Sequence, residues 1–125
     1  MKLLLDTNVF VRWSNGTQIP QSIRRMVTKS TNDCYVSIVS GWEIAIKPAI
    51  GMTVAHIETV ISNLRATLLP IRMEHLEELA SLPILDDHRD PFDRMLIAQA
   101  LAEDLPIVSS DRRFTAYQRL RVLWD

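Results

Sequence analysis

Residues 89–111, RDPFDRMLIAQALAEDLPIVSSD, constrain the fold more tightly than any other stretch of the chain. Asp90-Pro91 opens a helix: an aspartate accepts hydrogen bonds from the free amides at an N-cap, and proline suits the first helical position. Asp93 falls on the third helical position, where a carboxylate favours the positive end of the helix. MLIAQALAED continues the helix until Leu105-Pro106 stops it. Ile107 and Val108 then make a short apolar strand, closed by Ser109, Ser110 and Asp111. A helix that turns straight into a short apolar strand is the unit from which α/β sheets are built.

The direction of Asp93 matters. At helical spacing it shares a face with Leu96, Ile97 and Ala100, the face that turns inward. A carboxylate on an apolar stripe is costly unless something answers its charge. Either the amides of the first helical turn or a bound cation can do so, and Asp90 already serves those amides.

Short apolar runs followed by helical patterns recur along the chain. Lys2 to Leu5 reads as a buried strand cut off by Asp6-Thr7-Asn8, with Val9 to Trp13 starting a helix. Helical character follows over Pro20 to Lys29, with Arg24, Arg25 and Lys29 on a solvated side, and Tyr35-Val36 is a second strand. Ser37 caps a helix over 38–47 that Pro48 kinks or stops. Thr53 caps another over 54–66. Leu68 to Ile71 is a third strand, confined to a sheet edge by Pro70. Residues 73–82 are helical, Leu85 to Arg89 form an acidic loop, Asp111 to Tyr117 a short helix and Val122 to Trp124 a last strand. The alternation predicts an α/β fold with a mainly parallel sheet. With 125 residues, 47% of them hydrophobic, the chain suits one domain with a real core, spanning residues 1–125.

Charge is nearly balanced, 14 basic residues against 15 acidic, so no overall basic footprint announces nucleic acid. The single cysteine, Cys34, excludes an internal disulfide and reads as an inert core thiol. No apolar run approaches membrane-spanning length, and the N-terminal leucines are too few for a signal peptide, so a cytoplasmic protein is expected.

Ligands of open α/β sheets bind beyond the carboxyl ends of the strands. Asp6 follows the first strand, Asp111 follows Ile107-Val108, and Asp93 opens the helix leading into that strand. Glu43 lies one turn into the helix after the second strand. The expectation is that these four carboxylates converge. Clustered carboxylates raise one another's pKa, a penalty that a divalent cation removes, and hard oxygen donors favour Mg2+ or Mn2+.

LLLDTNV, SIVSGWEIAIK, HRDPFDRMLIAQAL and LPIVSSDRRF resemble, in this order, blocks of the PIN-domain family, and within it the VapC-type toxins of toxin–antitoxin pairs. DPFDRMLIAQA is the most specific block, and the match runs across nearly the whole chain. The resemblance implies a three-layer sandwich around a mainly parallel sheet, and a Mg2+- or Mn2+-dependent endoribonuclease acting on structured RNA, often tRNA. Its acidic positions fall on Asp6, Glu43, Asp93 and Asp111, with Asp90 a further possible ligand. Thr7, Asn8 and Ser110 match small polar positions that support the acidic site. A homodimer and a VapB-type antitoxin that inserts a peptide into the groove are also implied. Pro48-Ala49 departs from the family pattern, where the helix runs on.

Each residue also has a plainer reading. Asp6, Asp90 and Asp111 can be helix caps, and Glu43 can pair with Lys47 at i,i+4 for only ~0.2–0.5 kcal/mol. Trp13, Trp42 and Trp124 read as core, and His88 as a solvated loop histidine. Arg112 and Arg113, next to Asp111, are candidate contacts for RNA phosphates. Two competing functions are a degenerate PIN-fold binding module and a receiver-like Mg2+-binding signalling domain. The second lacks both a mid-chain aspartate between Asp33 and Asp86 and any lysine after Lys47.

Overall fold

Leu3, Leu4 and Leu5 are fully buried because the strand they form lies at the centre of a sheet covered on both faces. The computed structural model describes residues 1–124. Its five strands are β1 (Lys2–Leu5), β2 (Asp33–Ser37), β3 (Thr67–Leu69), β4 (Ile107–Val108) and β5 (Val122–Leu123). They pair wholly in parallel, in the order β3-β2-β1-β4-β5. Burial on both faces explains why β1 reads as a continuous apolar run rather than an alternation. Leu3 and Leu5 enter one core and Leu4 the other.

Six helices form the outer layers: α1 (Thr7–Asn15), α2 (Gln21–Thr28), α3 (Ile38–Ile46), α4 (Val54–Leu64), α5 (Met73–Ser81) and α6 (Pro91–Ala102). Phe10 of α1, Ile23 of α2 and Ile57 of α4 fill the first core. Leu96 and Ile97 of α6 fill the second, with Leu79 of α5 packed against it. α3 serves both, sending Ile44 to the first and Val39 to the second. The result is the expected α/β sandwich. Pro48 ends α3 and begins a single 3-10 turn, Pro48–Ile50. Pro70 lies just past β3, an edge strand as anticipated.

Strand order decides where a site can form. The chain runs from β1 outward through β2 to β3, then crosses to the other side of β1 for β4 and β5. The switch point therefore lies between the carboxyl ends of β1 and β4, where the Asp6 amide donates to the Val108 carbonyl at 3.0 Å. A receiver domain has the order 2-1-3-4-5, in which β1 is flanked by β2 and β3. Here its neighbours are β2 and β4, which removes the receiver-like reading.

Two buried polar links set the approach of α3. The Ser37 hydroxyl accepts from the Val39 amide at 3.0 Å and donates to Gln99 Oε1 on α6. The Thr7 and Ser40 hydroxyls are 2.7 Å apart, fastening α1 to α3. Unpaired, any of these buried groups costs about 1–3 kcal/mol, so the links fix how α3 and α6 face β1.

Candidate functional site

Asp6, Thr7, Asn8, Glu43 and Asp93 line a single cavity of about 290 Å³, closed by Val11, Lys47 and Ile50. Three carboxylates thus arrive from the end of β1, the middle of α3 and the first turn of α6. Asp111, the fourth expected member, does not line this cavity. It stands beside it: donor atoms of His88, Asp93 and Asp111 lie within 4.8 Å of one another.

The plain readings separate clearly. Asp90 is a cap, its Oδ1 accepting from the amides of Phe92 at 2.9 Å and Asp93 at 3.0 Å. Asp111 is likewise a cap, accepting from the Arg113 amide at 2.9 Å, and its other oxygen meets Arg113 Nη2 at 2.7 Å. Glu43 does pair with Lys47, Oε2 to Nζ at 2.7 Å. Asp6 holds the N-cap position of α1 yet makes no side-chain cap hydrogen bond. Only 4% exposed, its carboxylate is left facing the cavity with Ser109 Oγ donating to Oδ2 at 2.8 Å.

Electrostatics single out the same groups. Burial pushes the Asp6 carboxyl up to about 7; the Ser109 bond opposes this, and the negative charges of Asp93 and Asp111 reinforce it. Asp93 is raised chiefly by burial, against the hydrogen bond from His88, with Asp90 and Glu43 adding repulsion. Asp111 moves the other way, lowered by the Arg113 hydrogen bond. Glu43 Oε1 is buried and has no hydrogen-bond partner among the described residues. Buried, mutually repelling carboxylates with an unanswered oxygen are what a hard divalent cation would satisfy. The donor set fits Mg2+ or Mn2+.

Several expectations are corrected here. His88 is not a solvated loop residue: its ring is fully buried against Phe114 and Tyr117. Trp42 is not core but 55% exposed, because the buried stripe of α3 runs through Val39, Ser40, Glu43 and Ile44. Trp13 and Trp124 do pack, partly buried, on the first core. The serine that reaches Asp6 is Ser109, not Ser110, since the Asp6 amide bonds Val108 and so sets Ser109 beside it. Arg113 is engaged with Asp111, whereas Arg112 is simply exposed. Ser40, Ser109 and Gln99 escaped the sequence reading because nothing in their spacing distinguishes them from ordinary surface polar residues.

A family model described as "PIN domain" matches residues 3–120. The chain belongs to the PIN domain family. Solved structures similar to this PIN domain include VapBC2 from Rickettsia felis bound to a DNA fragment from their promoter. That match has a TM-score of 0.73 at 16% identity and covers 100% of both chains. DNA-bound VapBC from Salmonella typhimurium matches with a TM-score of 0.72 at 18% identity, covering 98% of this chain and 97% of the other. VapBC-1 from nontypeable Haemophilus influenzae gives 0.69 at 17% identity, over 98% and 97%. At these identities the likeness is one of fold. A search of curated proteins found no match.

Proposed function

We propose that this chain is a VapC-like toxin: a Mg2+- or Mn2+-dependent endoribonuclease, formed by residues 1–125 as one PIN domain, that hydrolyses phosphodiester bonds of structured RNA such as tRNA. The observation that carries this reading is the convergence of Asp6, Glu43 and Asp93 on one cavity at the switch point of the sheet. These three, with Asp111 at the margin, would hold the ion; Asp90 is committed to its cap. Bound there, such an ion activates water and steadies the charge that develops on phosphodiester oxygens.

The chain's own residues supply the rest. Ser109 and the Thr7–Ser40 pair hold Asp6 and Glu43 in place. Lys47, 2.7 Å from Glu43, and Arg113, 4.0 Å from Asp93, would meet phosphate oxygens at the rim, and the exposed Arg112 next to Arg113 in the chain is a further candidate. The related structures are VapBC assemblies, which supports a VapB-type antitoxin as partner. Ile38, Trp42 and Ile46 form an exposed apolar row on α3, a surface that homodimerisation would cover. No helix among the described residues is long and apolar enough to cross a membrane; a toxin that cleaves tRNA would act in the cytoplasm.

The test is direct. Purified protein incubated with total tRNA is expected to yield discrete fragments with Mg2+ or Mn2+ and none with EDTA, read by sequencing the new RNA ends. Cleavage that persists in EDTA, or no cleavage of any RNA with either metal, would contradict the proposal. The second outcome would favour a degenerate PIN-fold binding module.

A further inference from the structure

Beside the cavity lies a buried polar ring to which the reading above gives no role. His88 precedes α6 in an acidic loop, yet it is fully enclosed. Phe114 packs at 5.2 Å between ring centroids, and Tyr117 at 5.6 Å with its ring steeply inclined. The His88 Nε2 atom is 3.1 Å from Asp93 Oδ2, whereas Nδ1 is buried and has no hydrogen-bond partner among the described residues. That asymmetry fixes the tautomer. An Nδ1–H would be a buried donor with nothing to accept it, so the ring proton sits on Nε2 and is donated to the carboxylate.

One oxygen of Asp93 is thereby held, and Oδ1 is left outside the bond. We propose that His88 is a positioning residue: its Nε2–H fixes the orientation in which Asp93 meets a divalent cation. The inference rests on the metal-site reading above. Direct ligation by His88 is the competing arrangement, because its donor atoms lie close to those of Asp93 and Asp111. A protonated Nε2 has no lone pair to offer a metal, however, and Nδ1 is sealed within the protein. Hydrogen-bond partners of metal-binding carboxylates commonly alter metal affinity 10–100-fold when removed.

The experiment uses the full chain and Mn2+ alone as probe. His88→Phe preserves an aromatic ring between Phe114 and Tyr117 but removes the donor, while His88→Gln retains an N–H near the Nε2 position. Calorimetric titration is expected to show Mn2+ binding weakened about 10–100-fold in His88→Phe and within about threefold of wild type in His88→Gln. Two further readings need no variant: 15N NMR should show the Nε2–H tautomer, and electron spin-echo spectroscopy of bound Mn2+ should show no directly coordinated nitrogen. Wild-type affinity in His88→Phe, equal losses in both variants, an Nδ1–H tautomer or a nitrogen ligand to Mn2+ would each overturn the assignment. Failure of wild-type protein to bind Mn2+ at all would instead remove the metal-site reading, and this inference with it.

Discussion

Asp6→Asn is expected to abolish metal-dependent RNA cleavage and, in the same protein, to stabilise the metal-free fold at neutral pH. Both effects come from one carboxylate that is buried, uncapped and pushed up to about 7. In the unfolded chain an aspartate titrates near 3.9. Between about pH 4 and pH 7 the unfolded state therefore sheds this proton while the folded state keeps it. Stability is highest below that window, declines through it and levels off above pH 7, by about 4 kcal/mol at the upper limit. Asp93, also raised, acts in the same direction, whereas the lowered Asp111 acts oppositely and below the usual carboxylate range.

Asparagine carries no titrating proton, so the Asp6 share of this slope disappears in the variant. Urea denaturation in chelator from pH 4 to pH 8 measures it; a slope as steep in Asp6→Asn as in wild type would contradict the account. Loss of a metal ligand forfeits several kcal/mol of transition-state stabilisation, so cleavage should fall on the order of 10³-fold or more.

Mg2+ or Mn2+ is expected to reverse the cost that the carboxylates impose on the metal-free protein. At a free-metal concentration of 100 times Kd, binding to the folded state alone adds about 2.7 kcal/mol. For a domain of this size that is a rise on the order of 10 °C in Tm. The rise should be larger at pH 7.5 than at pH 5, because protons compete with metal at Asp6. Thermal melts of wild type and Asp6→Asn at the two pH values check this. An equal rise in both proteins would place the binding elsewhere.

How much of this was legible beforehand follows from the kind of signal each residue leaves. The buried strand Leu3 to Leu5 and the Asp90-Pro91 opening are local consequences of backbone chemistry, and the structure follows them closely; the third strand is at the sheet edge as expected but ends at Leu69, before Pro70. The inward aim of Asp93 came from helical periodicity, and Leu96, Ile97 and Ala100 are indeed buried beside it. What periodicity cannot carry is the choice between two uses of the same carboxylate. Asp6 and Asp111 both follow strands and both occupy cap positions, yet only Asp111 makes a side-chain cap hydrogen bond. That difference depends on Ser109 reaching Asp6 from the far end of the chain, whereas Arg113 meets Asp111 from only two residues on. The burial of His88 depends on Phe114 and Tyr117 far along the chain, and the exposure of Trp42 on which stripe of α3 the neighbouring elements cover.

The central claim is that Asp6, Glu43 and Asp93 share one cation. Crystals soaked in Mn2+ and measured at the manganese absorption edge would test it most directly. The account predicts an anomalous peak inside the cavity, within coordination distance of all three carboxylates and touching Glu43 Oε1. An empty cavity at saturating Mn2+, or a peak held by surface carboxylates alone, would contradict it.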